Sequence, residues 1–89
     1  MNAAQRKTIA EIRDRISTLA EEFEGIQSEI ETLRDEEQEK FDNMPEGLQQ
    51  GENGQAMEQA VSNLDEAVSS MVIAVDNAND AVSNLEEIA

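Results

Sequence analysis

The sequence predicts an all-α fold, an antiparallel two-helix coiled-coil hairpin that self-associates into a four-helix bundle. Two apolar stripes with alternating three- and four-residue spacing predict the helices. Each stripe is 33 positions long, over residues 9–41 and 57–89. The only proline, Pro45, and three of the four glycines lie between them. Stripes of equal length joined by a turn superimpose when the chain folds back, and this predicts a single hairpin domain over residues 1–89.

The first helix is predicted over residues 3–43. Its stripe consists of Ile9, Ile12, Ile16, Leu19, Phe23, Ile26, Ile30 and Leu33, followed by Phe41. Asn2 and Gln5 have the spacing of a capping box at the start of a helix. Thr8 and Glu11 have the same spacing, so either pair is a candidate cap. The step from Leu33 to Phe41 departs from heptad spacing and predicts a stutter just before the turn.

The turn is predicted over residues 44–53. Pro45 disfavours helical geometry in the residue before it and therefore ends the first helix. One short helical turn follows, for which Asn43 is the expected N-cap. The side chains expected to cover the end of the hairpin are those of Phe41, Met44 and Leu48.

The second helix is predicted over residues 54–88, with Asn53 as its cap. Its stripe consists of Met57, Val61, Leu64, Val68, Met71, Val75, Ala78, Val82, Leu85 and Ala89. An alanine comes immediately before every second stripe residue from Val61 to Val82, at Ala60, Ala67, Ala74 and Ala81. We expect these alanines to pack closely within the hairpin. The outward positions are rich in serine and asparagine, which leaves open a face on which another helix docks.

Self-association is predicted because two helices that bury one stripe each form a marginal core. Val72 and Ile73 lie off the stripe, so the middle of the second helix is apolar on nearly all sides. Such a patch favours contact with a second surface. The predicted self-association residues are Met71, Val72, Ile73 and Val75. The rival interpretation is that Val72 and Ile73 dock a different protein.

Composition argues against enzymatic activity. The chain has no cysteine or histidine and no tyrosine, the residue types that supply most nucleophiles and proton shuttles. We therefore predict no catalytic residue, no cofactor and no metal site. The segment DNANDAVSNLEE at residues 76–87 lacks the central glycine of a calcium loop, and Ala78 at its third position supplies no oxygen ligand. No apolar run is long enough to span a membrane, and the expected location is cytoplasmic.

Charge is the remaining signal, at −15 overall. Residues 1–20 carry +2, from four basic and two acidic residues, whereas residues 21–89 carry −17. The basic Arg6, Lys7, Arg13 and Arg15 are expected to pair with Asp76, Asp80, Glu86 and Glu87 of the second helix. The predicted partner-binding acidic face comprises Glu21, Glu22, Glu24, Glu29, Glu31, Asp35, Glu36 and Glu39. A side-by-side dimer would approach the axial charge density of duplex DNA, about one charge per 1.7 Å.

Residues 36–68, EEQEKFDNMPEGLQQGENGQAMEQAVSNLDEAV, resemble a segment of small coil-containing proteins encoded by tailed bacteriophages. The stretch FDNMPEGLQ, at residues 41–49, is the most distinctive part. The resemblance covers about a third of the chain and implies a phage origin. Small acidic phage proteins often inhibit host enzymes or defence systems, so the resemblance also implies an inhibitor, by analogy alone.

These observations lead to one hypothesis and one alternative. The first is a non-enzymatic phage-type inhibitor or regulator that presents the acidic face to a basic host protein, such as a nucleic-acid-handling or defence enzyme. It would act in the host cytoplasm as a homodimer. We expect it to bind neither nucleic acid directly nor a membrane. The alternative is a structural or assembly adaptor, scaffold-like or virion-associated, that binds through its apolar and Ser/Asn helix faces.

Overall fold

The computed structural model describes residues 1–88, which form three helices. Helix α1 covers Ala3–Asp42, α2 covers Glu46–Gln49 and α3 covers Glu52–Ile88. The predicted all-α helical hairpin is therefore confirmed. The last position of the second stripe, Ala89, lies outside the described residues. None of the described helices is long and apolar enough to cross a membrane.

A reciprocal capping box starts α1. The Asn2 amide donates to Oε1 of Gln5 at 3.2 Å, and the Gln5 amide donates to Oδ1 of Asn2 at 2.8 Å. The hydroxyl of Thr8, the rival cap, instead donates to the carbonyl of Ala4 inside the helix. The two bonds between Asn2 and Gln5 satisfy backbone donors that a helix start leaves without a partner.

We expect Asn2→Ala to weaken the first turn of α1 by about 1 kcal/mol, because it removes the acceptor of the Gln5 amide. Amide hydrogen exchange at residues 4–7 measures this local opening. Thr8→Ala is the matched control and should leave exchange there unchanged or slower, since alanine is the better helix former. Faster exchange in the Thr8 variant than in the Asn2 variant would contradict the assignment.

The turn differs from the prediction at both of its caps. Pro45, at φ −54° and ψ 141°, occupies the N-cap of α2. No side chain caps this helix, so the prediction that Asn43 is its N-cap is wrong. The Gln55 amide donates to the carbonyl of Gly51 at 3.0 Å, which makes Gly51 the N-cap of α3. Helix α3 therefore begins two residues earlier than predicted, and Asn53 lies inside its first turn.

The described residues divide into two compact units, each of which pairs a stretch of α1 with a stretch of α3. One unit contains Met1–Gly25 together with α3 from Met71 onward. The other contains Ile26–Ser70, and so includes α2 and both of its connections. The most buried apolar residues of the described chain are Ala20 and Val75 in the first unit and Val68 in the second.

Within the second unit, α2 closes the turn against both long helices. The side chains of Phe41 and Met44 are half-buried, whereas Leu48, also expected to cover this end, is exposed. The Gln49 side-chain amide donates to the carbonyl of Phe41 at 2.9 Å. Gly54 is buried with its Cα next to the backbone of Gln49. The start of α3 thus packs directly on the end of α2.

The stripe predicted for α3 is confirmed as its packing face at each described position. Every stripe residue from Met57 to Leu85 is buried or half-buried. The four alanines that precede the stripe, Ala60, Ala67, Ala74 and Ala81, are half-buried as well. The alanine row therefore belongs to the packing of the hairpin, as predicted.

The packing face predicted for α1 is half wrong. The half-buried or buried positions with alternating three- and four-residue spacing are Ile9, Arg13, Ile16, Ala20, Phe23, Gln27, Ile30, Arg34, Glu37, Phe41 and Met44. Every second member of the predicted stripe is instead exposed: Ile12 by 39%, Leu19 by 52%, Ile26 by 38% and Leu33 by 54%. We call these four residues the exposed row.

The turn end of α1 explains this shift. Counting back from Met44 and Phe41 in heptad spacing gives Glu37, Arg34 and Ile30, with no stutter. The predicted stripe reached Phe41 only through a break. The packing face follows the unbroken row, and the long side chains on it cover apolar surface with their aliphatic stems. The consequence is that the exposed row has no contact that buries it within the described chain.

Candidate functional site

The acidic face lies on the outward positions of α1, as expected. Seven of its eight residues are exposed, and Glu31 alone is half-buried. Glu31 accepts a hydrogen bond from the Gln27 side-chain amide at 3.1 Å. Asp35 contacts Nη2 of Arg34 at 3.2 Å, and this is the one ion pair that the acidic face makes within residues 1–88. The other carboxylates thus have no cation to offset their charge there.

The acidic face divides between two sides of α1. Glu22, Glu29 and Glu36 recur every seven residues, each three positions after a member of the exposed row. Residues three apart are neighbours on a helix surface, so these carboxylates flank the row. Glu24 and Glu31 lie on the side of α1 away from the row. The apolar row and one line of carboxylates therefore form a single amphipathic strip.

The predicted self-association residues also divide. Val75 is buried and Met71 is half-buried, so both take part in the packing of α3 on α1. Val72 is 40% exposed and Ile73 is 59% exposed, and these two remain available to another molecule. The exposed patch of α3 is thus smaller than the four residues predicted from the sequence.

Sequence reasoning missed the exposed row, which is the larger apolar surface of the described chain. Heptad spacing predicts that its residues lie in the hairpin interior, because they complete a stripe with Ile9, Ile16, Phe23 and Ile30. Two features of the sequence could have identified the exposed row. Heptad spacing counted back from Met44 omits its residues, and the same spacing includes Ala20. Ala20 is only 4% exposed, whereas the neighbouring Leu19 is 52% exposed, so the packing face of α1 contains Ala20 and not Leu19.

Arg34 makes the ion pair that joins α1 to α3. Its Nη1 donates to Oδ1 of Asp65 at 2.9 Å. The hydrogen bonds to Asp65 and then to Asp35 raise the pKa of the Arg34 guanidinium. The contact lies within the second unit, where it links α1 to α3 at an exposed surface.

The ion pairs predicted near the N-terminus do not form among residues 1–88. Arg13 contacts its neighbour Asp14 at 3.2 Å rather than a carboxylate of α3. Arg6, Lys7 and Arg15 make no ion pair within the described residues. The rotation of α1 accounts for Arg13, whose stem lies on the packing face while its head remains near α1 itself.

Residues 1–88 hold no group of side chains placed to bind a metal ion. No buried polar side-chain atom of the described residues lacks a hydrogen-bond partner. The exposed surfaces of residues 1–88 described above are the acidic face, the exposed row and the Val72/Ile73 patch.

Comparison of the chain with known protein families, characterised proteins and solved structures finds no match.

Proposed function

We propose that this chain is a non-enzymatic protein-binding helical hairpin whose acidic face contacts a basic protein. The observation that carries the proposal is the exposure of seven of the eight carboxylates, of which only Asp35 contacts a cation within residues 1–88. Uncompensated charge of one sign steers a partner of opposite charge and raises its association rate. The partner class is a protein with a basic surface.

A nucleic-acid-handling or defence enzyme of a bacterial host fits that partner class. Its binding cleft is built to accept a polyanion, and a helical protein with net charge −15 competes for it as a mimic of DNA. We propose an inhibitor that acts in the host cytoplasm, by analogy with the phage proteins that residues 36–68 are expected to resemble. The chain itself would not contact nucleic acid, since both are polyanions.

Charge reversal on α1 is expected to abolish this binding. In Glu21→Lys/Glu24→Lys/Glu39→Lys, three exposed carboxylates away from the exposed row become cations. Wild type is expected to capture a basic nucleic-acid-binding protein from bacterial lysate at low salt and to release it to high salt or to added duplex DNA. The triple variant should capture none.

The matched control reverses three exposed carboxylates of α3, in Glu58→Lys/Glu66→Lys/Asp76→Lys, which changes the net charge equally. This variant should keep the partner. If both variants lose the partner alike, net charge alone is responsible and the acidic face is not the site. If both retain it, the proposal fails.

The alternative function is a structural or assembly adaptor, and the exposure of Val72 and Ile73 favours it. The neighbouring serine and asparagine positions, such as Ser69 and Ser70, are exposed as well. An apolar docking face holds its partner as salt rises, whereas an acidic mimic releases it. Capture that persists at high salt and is lost in Val72→Asp/Ile73→Asp would therefore select the adaptor.

Self-association into a four-helix bundle is part of the proposal. The accessible surface of the chain is 6303 Å², against about 5,200 Å² for an average folded monomer of this mass. The excess, about 1,100 Å² per chain, is comparable to the roughly 800 Å² that each partner of a standard protein interface buries. Only Ala20, Val68 and Val75 among the described apolar residues are buried, which leaves a single hairpin with a thin core.

A further inference from the structure

The exposed row is an apolar surface that no other part of the described chain buries. It places Ile12, Leu19, Ile26 and Leu33 at seven-residue intervals along α1, each with 38–54% of its surface exposed. Isolated exposed apolar residues are ordinary, but four at heptad spacing form a continuous apolar line along α1, like one of the two seam positions of a coiled coil.

We infer that the row is covered by the same row of a second copy of this chain, with the two α1 helices antiparallel. This inference rests on the self-association part of the proposed function and specifies the surface that it uses. The area argument favours a second copy, because the excess surface of about 1,100 Å² per chain is comparable to the roughly 800 Å² that each partner of a standard interface buries.

The order of side chains in the row suits antiparallel pairing with itself. In the register centred between Leu19 and Ile26, Leu19 meets Ile26 of the second copy. Ile12 likewise meets Leu33 of the second copy. Each of the four layers then contains one isoleucine and one leucine, so their volumes are equal. The two-fold axis passes beside Glu22 and Phe23, and the interface is isologous.

Charge along α1 favours the same orientation. Residues 1–20 carry +2, whereas residues 21–42 carry −8, from ten acidic and two basic residues. Antiparallel pairing sets the basic stretch of each copy beside the acidic stretch of the other. Parallel pairing would set like charges at the same level, a costly arrangement in a coiled coil.

Arg15 supplies the specific contact. It is exposed, makes no ion pair with any of residues 1–88, and lines a shallow depression of about 300 Å³ with Thr18 and Leu19. In the antiparallel register Arg15 of one copy lies beside Glu29 of the second copy, twice per dimer. One like-charge contact, Glu22 with Glu22 of the second copy, opposes these two attractive ones.

The first test is the oligomeric state of full-length Leu19→Glu by sedimentation equilibrium. We expect wild type to be a dimer and Leu19→Glu to raise the dimer dissociation constant by at least about 100-fold, because two carboxylates enter the apolar layers. Ser28→Glu adds the same charge at an exposed position of α1 off the row and should dimerise like wild type. Equal helicity by circular dichroism establishes that both variants fold.

The second test exchanges the charges of the proposed pair. Arg15→Glu and Glu29→Lys should each weaken the dimer about 10-fold, since either change places like charges together twice. The double variant Arg15→Glu/Glu29→Lys should recover to within about 3-fold of wild type. Arg15 and Glu29 are fourteen residues apart on α1, about 21 Å of helical rise, so recovery within one copy is impossible.

Cysteine cross-linking reports the orientation directly, since the chain has no cysteine of its own. A mixture of Leu19→Cys and Ile26→Cys should form a mixed disulfide on oxidation, and Leu19→Cys alone should form little. A disulfide between two copies of Leu19→Cys alone would instead show parallel helices and overturn the inference.

The outcomes separate this inference from the proposal beneath it. A monomeric wild type would reject self-association altogether. A dimer that survives Leu19→Glu but dissociates in Val72→Asp/Ile73→Asp would retain self-association and reject the α1 interface. Capture of a basic protein depends on neither result.

Discussion

Gly54→Ala is expected to destabilise the hairpin by about 3 kcal/mol or more, the cost of forcing atoms into an occupied site. A Cβ at this position would lie 2.5 Å from the carbonyl carbon of Gln49 and 2.6 Å from its Cα, and closer still to the carbonyl oxygen. These are backbone atoms, which cannot swing aside as the end of a side chain does. Either α2 or the first turn of α3 must move.

The measurement is urea denaturation followed by far-ultraviolet circular dichroism, because the chain has no tryptophan or tyrosine to report by fluorescence. Gly47→Ala, in α2, is the matched control, since no atom lies within 4 Å of its added Cβ. That variant should be as stable as wild type or slightly more so. Equal stability of the two variants would mean that α2 does not pack on α3 as described.

Val75→Asp is expected to cost about 3 kcal/mol or more, because it places a carboxylate where the side chain is only 7% exposed. Val72→Asp is the matched control on the same helix, three residues earlier. Its side chain is 40% exposed, so the new carboxylate stays hydrated and we expect a loss below about 1 kcal/mol.

Both free energies of unfolding must be compared at one protomer concentration, since association adds to apparent stability. A loss in the Val72 variant as large as that in the Val75 variant would show that the packing face of α3 is rotated from the one described. A small loss in both would show that the unit containing Val75 contributes little to stability.

Much of the fold follows from sequence periodicity. The stripe and alanine row of α3 could be predicted because both belong to one unbroken heptad pattern between Met57 and Leu85. The start of α3 near Gly51 is harder to predict, because asparagine is a favoured N-cap residue and Asn53 therefore resembles a cap. The backbone resolves the choice, because the carbonyl of Gly51 accepts the first helical hydrogen bond of α3.

The rotation of α1 could not be read from apolar spacing alone. Its sequence contains two overlapping rows that share Ile9, Ile16, Phe23 and Ile30. One row adds the exposed row and is the more apolar, whereas the other adds Arg13, Ala20, Gln27 and Arg34. What decides between them is the anchoring of Phe41 and Met44 at the turn, a tertiary constraint that local pattern does not contain. The exposed acidic face, by contrast, follows from its outward heptad positions.

The separation of the two rows of α1 has a consequence for how such a chain diverges under selection. Substitutions at Ile12, Leu19, Ile26 or Leu33 alter what the outer surface recognises, while the residues that hold α1 on α3 stay unchanged. A lineage can therefore acquire new binding specificity by small steps, without passing through unfolded intermediates.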